Sequence, residues 1–318
     1  MSGNKTRILI TGGLGNLGSW ITDHFSLGGY EVTVLSKNDR KLTISHPFQK
    51  IFCDITDKSA LKKSLDGMEF DYIIHLASLN ETFLDDYASQ ALLINSYGTR
   101  NLLEVCEGKK IKKFIYMSTF HVYGKDGGEI TEQDAVTPLN DYAITHYFAE
   151  EYIKLFSGRN GLPYIIFRLS NSYGCPKDVH SSKWYLLFND LCRQAVLHKK
   201  IEIKTNGTAL RDFIHMQDVS TAIEKVLEKE NLENEVFNLG SGESLSLTEM
   251  ADHIAAAYRE VYAEDIEVKK NDNDKKVYPA VLRFNIGKIK EAIAFTPSFC
   301  YSDEAKKIFA FVVKSGAN

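Results

Sequence analysis

From the N-terminus to about residue 170, short apolar runs alternate with segments whose apolar residues recur at helical spacing. The runs at 7–11, 31–35, 50–53, 71–77, 113–118 and 163–169 are nearly continuous in apolar residues, as parallel strands buried on both faces should be. Between them Leu17, Ile21 and Phe25 step by four, as do Ile144, Phe148 and Tyr152, and Gly28-Gly29 and Gly158 sit where helices should end. Strand–helix units repeated in this way predict right-handed crossovers and an α/β doubly wound parallel sheet. Beyond residue 170 the rhythm loosens. Helices are expected at 184–197, 218–227 and 247–258, short strands at 201–203, 235–239 and 266–268, and an exposed polar loop at 269–276. The expected division is a first domain of residues 1–170, rejoined by about 213–240, and a smaller α/β lobe from 171–212 and 241–318.

The first strand runs into Thr11-Gly12-Gly13-Leu14-Gly15-Asn16-Leu17-Gly18, and a helical pattern follows. Gly12 suits the tight strand-to-helix turn, Gly15 close approach of backbone to a pyrophosphate, and Gly18 close helix–sheet packing. The N–H groups opening the helix, at Asn16 and Leu17, face the phosphates. A dinucleotide, NAD or NADP, is the expected cofactor in a Rossmann-like fold. An acid at the end of the second strand would hold the adenosine ribose of NAD, but that strand ends Val34-Leu35-Ser36-Lys37-Asn38. Ser36 is suited to a ribose hydroxyl. Lys37 and Arg40 either meet a 2′-phosphate or are solvated loop charges. Asp54 and Ile55, after the third strand, are placed to read adenine.

Three features together resemble the extended short-chain dehydrogenase/reductase family, which includes nucleotide-sugar epimerases and dehydratases. They are the glycine turn, the strand ending Ser118-Thr119-Phe120-His121-Val122-Tyr123-Gly124, and Pro138-Leu139-Asn140-Asp141-Tyr142-Ala143-Ile144-Thr145-His146 at a helix start. Asp71 to Ala77, Asn95 with Gly98-Thr99, Arg168 to Gly174, Arg211-Asp212-Phe213 and Asn238 to Gly242 extend the resemblance over most of the chain. It implies hydride exchange between a sugar carbon, C4 being the expected one, and a nicotinamide, with Tyr142 as acid/base and Thr119 as the assisting hydroxyl. Leu76, Ala77, Ser78 and Asn95 are then expected at the cofactor, together with Tyr142 and His146.

The chain departs from the family in two places. Four residues after Tyr142, where the family has a lysine, stands His146. A phenol titrates near pH 10 unless a cation lowers it, and a histidine is mostly neutral at pH 7. Either proton transfer slows, or the site raises the pKa of His146, or the chain binds cofactor without turnover, as a regulatory protein would. Dehydratases of the family carry Asp-Glu after the threonine. Phe120 and His121 replace that pair here, which argues against 4,6-dehydration. On the substrate side the resemblance assigns Asn171 and Arg211 to a nucleotide pyrophosphate, Arg211 otherwise pairing with Asp212 or Asp218. Lys275 of the loop or Arg283 stands where a further arginine is usual, and His121, beside Thr119, either faces the sugar or is structural. Trp184 and Tyr185 either stack on a nucleobase or belong to the core.

Composition narrows the partners. The chain has 318 residues, 44% hydrophobic and 25% charged, with a formal net charge of −4. That balance gives no electrostatic case for nucleic acid or an anionic membrane. No apolar run approaches the roughly 18 residues of a membrane span, and the polar stretch before Ile8 is not expected to be a signal peptide. Five scattered cysteines without a CxxC pair argue against a disulfide framework or a metal site, and for a reducing, cytoplasmic setting. The resemblance also implies a homodimer in which helices 90–106 and 142–156 of two subunits form a four-helix bundle.

Overall fold

The computed structural model describes residues 5–44, 46–80, 84–178, 184, 186–298 and 300–316. The first strands are β1 (Arg7–Thr11), β2 (Glu31–Ser36), β3 (Gln49–Phe52), β4 (Tyr72–His75) and β5 (Lys113–Thr119). Then come β6 (Gly128–Ile130), β7 (Tyr164–Leu169), β8 (Asn171–Tyr173), β9 (Lys200–Ile203), β10 (Leu210–His215) and β11 (Glu235–Leu239). Seven of these form one parallel sheet in the order β11-β7-β5-β4-β1-β2-β3. The strand order reverses between β1 and β4. In such sheets the crevice at that switch point, beyond the C-terminal strand ends, is where ligands bind. The fold is Rossmann-like α/β.

The helices on this sheet are α1 (Asn16–Leu27), α2 (Lys58–Ser64), α3 (Tyr87–Ala91), α4 (Thr99–Val105) and α5 (Asp141–Asn160). A stretch of wider π-type turns (Leu92–Gly98) joins α3 to α4. Ile8, Ile10, Ile74 and Ile115 fill one face of the sheet against Ile21 and Phe25 of α1, while Leu9, Ile73 and Phe114 fill the other against Leu102 of α4 and Ile153 of α5. Both faces of the inner strands are therefore dry, which is why those strands read as unbroken apolar runs. Edge strand β3, expected to be buried on both faces, is mostly exposed because only β2 flanks it.

Two expectations are corrected here. Gly158 lies inside α5, and the helix stops at Gly161, whose φ of 67° an L side chain rarely adopts. The stripe Ile144–Phe148–Tyr152 found the helix but not its core face. Ile144 and Phe148 are 37% and 42% exposed, whereas Ala149, Ile153 and Phe156 are buried.

The remaining chain supplies α6 (Leu187–His198), α7 (Met216–Leu227), β12 (Ser244–Ser246), α8 (Leu247–Tyr262), β13 (Glu267–Lys270), β14 (Leu282–Phe284), α9 (Gly287–Ile293) and α10 (Tyr301–Ser315). Helix α7 and strand β11 return to the large sheet. The small sheets β12-β10-β8 and β13-β9 accompany the lobe built on α6, α8 and α10. Strand β14 and helix α9, expected in the lobe, instead pack with β6 on the core of the large sheet, through Ile130, Leu282, Phe284 and Ile289. The lobe's own core contains Phe188, Leu191, Phe213, Met250, Ile254, Ile308, Phe309 and Val312. Helix α10 was not anticipated, although Ala305, Ile308, Phe309 and Val312 carry its spacing.

Candidate active site

A cleft of about 570 Å³ runs along the C-terminal ends of the large sheet. One end is the turn after β1. Gly12 has φ +69°, and a Cβ there would stand 2.8 Å from the backbone nitrogen of Ala77. A Cβ on Gly18 would stand 2.2 Å from the Gly12 carbonyl oxygen, so the helix presses against its own turn only because that position is bare. Gly15, Asn16, Leu17 and Gly18 line the cleft at the N-terminus of α1, with no acid in its first turn. The Asn16 side-chain Nδ2 is buried there without a hydrogen-bond partner among the described residues. A buried unpaired donor beside a helix N-terminus fits an anionic group such as a pyrophosphate.

Ser36, Lys37, Asp54, Ile55, Leu76, Ala77 and Ser78 line the same cleft. The Lys37 ammonium lies 2.8 Å from the Asp54 carboxylate. Burial would raise the Asp54 carboxyl, but hydrogen bonds from Lys37 and Thr56 outweigh it and hold the group below its ordinary range. Arg40 lies 3.7 Å from Asp178. Both cations proposed for a 2′-phosphate thus already face carboxylates.

At the other end Thr119, His121, Tyr142 and His146 line one stretch of wall. Thr119 ends β5, and its Oγ1 accepts from the His121 N–H, capping the short turn Phe120–Tyr123. Asn140 caps α5 by accepting from the Ala143 N–H, which sets Tyr142 in the first turn. One turn on, His146 is buried, with its ring edge-on to Tyr142 at 4.7 Å. Its Nδ1 lies 2.8 Å from the Tyr116 hydroxyl, and its Nε2 has no partner among the described residues. Burial, aided by neighbouring His121, pushes the His146 pKa down to about 3. The site therefore does not raise this pKa, and His146 is neutral at pH 7. A further turn on, buried Glu150 accepts from Ser118 at 2.5 Å and pairs with Arg168 at 2.7 Å. His75, below the glycine turn, bonds Thr11 and Thr99 and is likewise held neutral by burial, at about 3.

Asn95 stands elsewhere. It is buried, its Oδ1 accepts from the Leu79 N–H at 2.6 Å, and its Nδ2 donates to Leu79 and Thr145. It braces the loop after β4 instead of lining the cleft, because its amide is used up by protein groups. Lys275 does not line the cleft either, and its ammonium donates to the Asp272 carbonyl of its own exposed loop. Arg211 is off the wall as well, donating to the Leu210 carbonyl. It nevertheless stays close, since its charge, after burial, helps lower the pKa of His121. The suspected ion pairs of Arg211 do not form: Asp212 accepts from Ser241 and Gly242, and Asp218 from Ser298. Asn171 lines the cleft while its amide donates to the Asp212 carbonyl. Trp184 packs against the lobe's core, whereas Tyr185 lies outside the described residues. The sequence reading overlooked Tyr116 and Glu150, whose signal was polar residues at positions the strand and helix patterns bury.

Residues 8–240 match the NAD dependent epimerase/dehydratase family, and the chain belongs to it. A protein of Methanocaldococcus jannaschii, provisionally named a UDP-glucose 4-epimerase, is 31% identical over 253 residues, covering 78% of this chain and 81% of the relative. The dTDP-D-glucose 4,6-dehydratase of Dictyostelium discoideum is 29% identical over 278 residues, covering 78% of this chain and 61% of the relative. Among solved structures, UDP-glucuronic acid 4-epimerase from Bacillus cereus, in complex with UDP-glucuronic acid and NAD, superposes with a TM-score of 0.81 at 23% identity, covering 97% and 99% of the two chains. Among the described residues no helix is long and apolar enough to cross a membrane.

Proposed function

We propose that this chain is an NAD-dependent epimerase that inverts a secondary alcohol, C4, of a nucleotide-activated sugar. The observation that carries the reading is one cleft holding both the glycine turn and, at its far end, Thr119, Tyr142 and His146 on a single stretch of wall. Bound NAD supplies a hydride acceptor and, after the sugar turns its other face, a hydride donor. The Tyr142 oxygen takes the proton of the sugar hydroxyl as that carbon is oxidised and returns it on reduction. Thr119 Oγ1 is the second hydrogen-bonding group for the same sugar oxygen. NAD is preferred to NADP, because a 2′-phosphate would have to displace Asp54 from Lys37 and Asp178 from Arg40. The lobe of residues 171–212 and 241–318, with Asn171 on the cleft wall that His121 also lines and with Arg211 close behind, holds the nucleotide sugar.

The carboxylates of the cleft support epimerisation over dehydration. Among the described lining residues the one carboxylate is Asp54, engaged by Lys37 away from Tyr142. Water elimination needs an acid and a base at the sugar, and no such carboxylate pair stands there. The chain is proposed to pair with a second copy through the apolar groove of Leu92, Leu93, Tyr97, Phe148, Tyr152 and Leu155.

A panel of UDP-, dTDP- and ADP-sugars incubated with NAD in D₂O tests the reading. Isomerised sugar, no net change in nicotinamide absorbance and no deuterium at the inverted carbon are expected. A released 4-keto-6-deoxy sugar would instead make the chain a dehydratase, and net NADH a dehydrogenase. The neutrality of His146 favours one second reading, a cofactor-binding regulatory protein; NAD binding with no product from any sugar would establish it.

A further inference from the structure

Among the described residues the His146 ring makes a single hydrogen bond, to the hydroxyl of Tyr116 on β5 at 2.8 Å from Nδ1. Tyr116 is buried, with its ring stacked on His75 at 5.5 Å and its hydroxyl bonded to no other described residue. The His75 ring is itself committed: the Thr99 hydroxyl donates to the Asn95 carbonyl, so His75 donates from Nε2 to Thr99 and accepts at Nδ1 from Thr11. No proton therefore passes from His75 to Tyr116.

Two arrangements of the Tyr116–His146 contact exist. In one, the phenol donates to Nδ1 and the imidazole proton sits on Nε2. In the other, Nδ1–H donates to the phenol oxygen, and the phenol proton is shut away from water with nothing to accept it. The first leaves one orphan, the Nε2–H on the cleft side, whereas the second leaves two, the phenol proton and the Nε2 lone pair. Buried polar groups in native proteins are almost always paired, which selects the first. Burial, with the charge of Glu150 behind it, also holds the Tyr116 phenol protonated, so its proton is always there to give.

We propose that Tyr116 is a positioning residue that fixes His146 as the Nε2–H tautomer, so that the histidine offers the cleft a neutral hydrogen-bond donor for a hydroxyl oxygen of the cofactor. The donor half of the proposal is independent of any ligand. The cofactor half rests on the dinucleotide reading of the cleft. Functionally, the family's cation at this position is replaced by a donor whose direction is set by a second side chain. Reaching the same oxygen then requires two residues instead of one.

The test is nitrogen NMR of the full chain carrying ¹⁵N-histidine, the His146 signals being identified by their loss in His146→Gln. At neutral pH the proton should sit on Nε2 in the wild type, with and without NAD, and Tyr116→Phe should leave a mixture of tautomers. A wild-type proton on Nδ1, or a Tyr116→Phe spectrum unchanged in tautomer, overturns the proposal. Calorimetry supplies the second readout: Tyr116→Phe should weaken NAD binding by about tenfold, the worth of one neutral hydrogen bond. In the His146→Gln background the same change should cost nothing, because glutamine has no tautomer to set. Equal loss in both backgrounds would make Tyr116 merely structural and overturn the proposal. Should Tyr116→Phe not fold, the wild-type spectrum decides alone. A wild type that shows the Nε2–H signature yet binds no NAD overturns the dinucleotide reading and leaves the tautomer assignment standing.

Discussion

The far end of the cleft and the smaller lobe are built on opposite principles. On the side of α5, β5 and β7, Tyr116 pairs with His146, and Ser118 and Arg168 pair with Glu150, all buried and electrically neutral as a set. In the smaller lobe, off the wall of that cleft, Arg211 has no ion pair among the described residues, and Lys275 holds only a carbonyl of its own loop. The first arrangement fixes geometry, because moving any member strands a buried polar group. The second leaves these charges without a carboxylate partner among the described residues, as the proposed capture of an anionic substrate requires. On the proposed function, the difference would separate proton handling, which needs a rigid and desolvated setting, from substrate capture, which needs unspent cations.

Four measurements would break or sharpen that contrast. Tyr142→Phe should lower turnover by at least about a thousandfold while NAD binding stays within about twofold, since acid/base groups of this type contribute factors of roughly 10² to 10⁴. Retained turnover would remove Tyr142 from the chemistry. Next, Glu150→Ala leaves the Arg168 guanidinium uncompensated in the interior. It should destabilise the chain by about 3–5 kcal/mol in urea unfolding, as broken buried pairs do. A loss below about 1 kcal/mol, the worth of a surface pair, would show that this side is not sealed from solvent.

Acid should act on the buried side too. His75 and His146 have folded-state pKa values of about 3, below the ordinary value of 6.5, so they are neutral when folded and take up protons on unfolding. Their stabilisation is complete above about pH 6.5 and is lost as pH falls towards 3, by up to about 1.4 kcal/mol per pH unit for each histidine. Unfolding followed at pH 7, 6 and 5 should show that slope, and His75→Phe should reduce it. A flat profile would mean that water reaches these rings. The smallest effect belongs to the lobe side: Arg211→Ala should raise the KM for the nucleotide sugar by about tenfold, as loss of one charged hydrogen bond does. Lys275→Ala should leave KM within about twofold, and the reverse ranking would relocate the anion site to the 271–276 loop.

Much of this was legible in the sequence because it depends on local spacing. The six apolar runs mark six of the seven strands of the large sheet to within a residue or two, since burial on both faces leaves little other composition. Edge strand β3, marked by the run at 50–53, is the exception to that burial, being mostly exposed. The glycine turn and the Tyr142–His146 spacing placed two ends of one cleft that lie far apart along the chain. The three-residue strands β6, β8, β12 and β14 were not legible, as three residues carry no period. Nor was the outward face of Ile144 and Phe148, because apolar residues in a helix state that a face is covered and not by what.

The order of residues by itself determined the doubly wound sheet, the dinucleotide turn and the column of Tyr142 and His146 on one helix face, since all three follow from backbone geometry within a few residues. Only the folded chain decided that His146 is neutral, that Tyr116 holds its Nδ1, that Asn95 is spent on a loop and that Arg211 pairs with no carboxylate among the described residues. Protonation and pairing depend on burial and on partners tens of residues distant, and those are created by packing, which no local pattern contains.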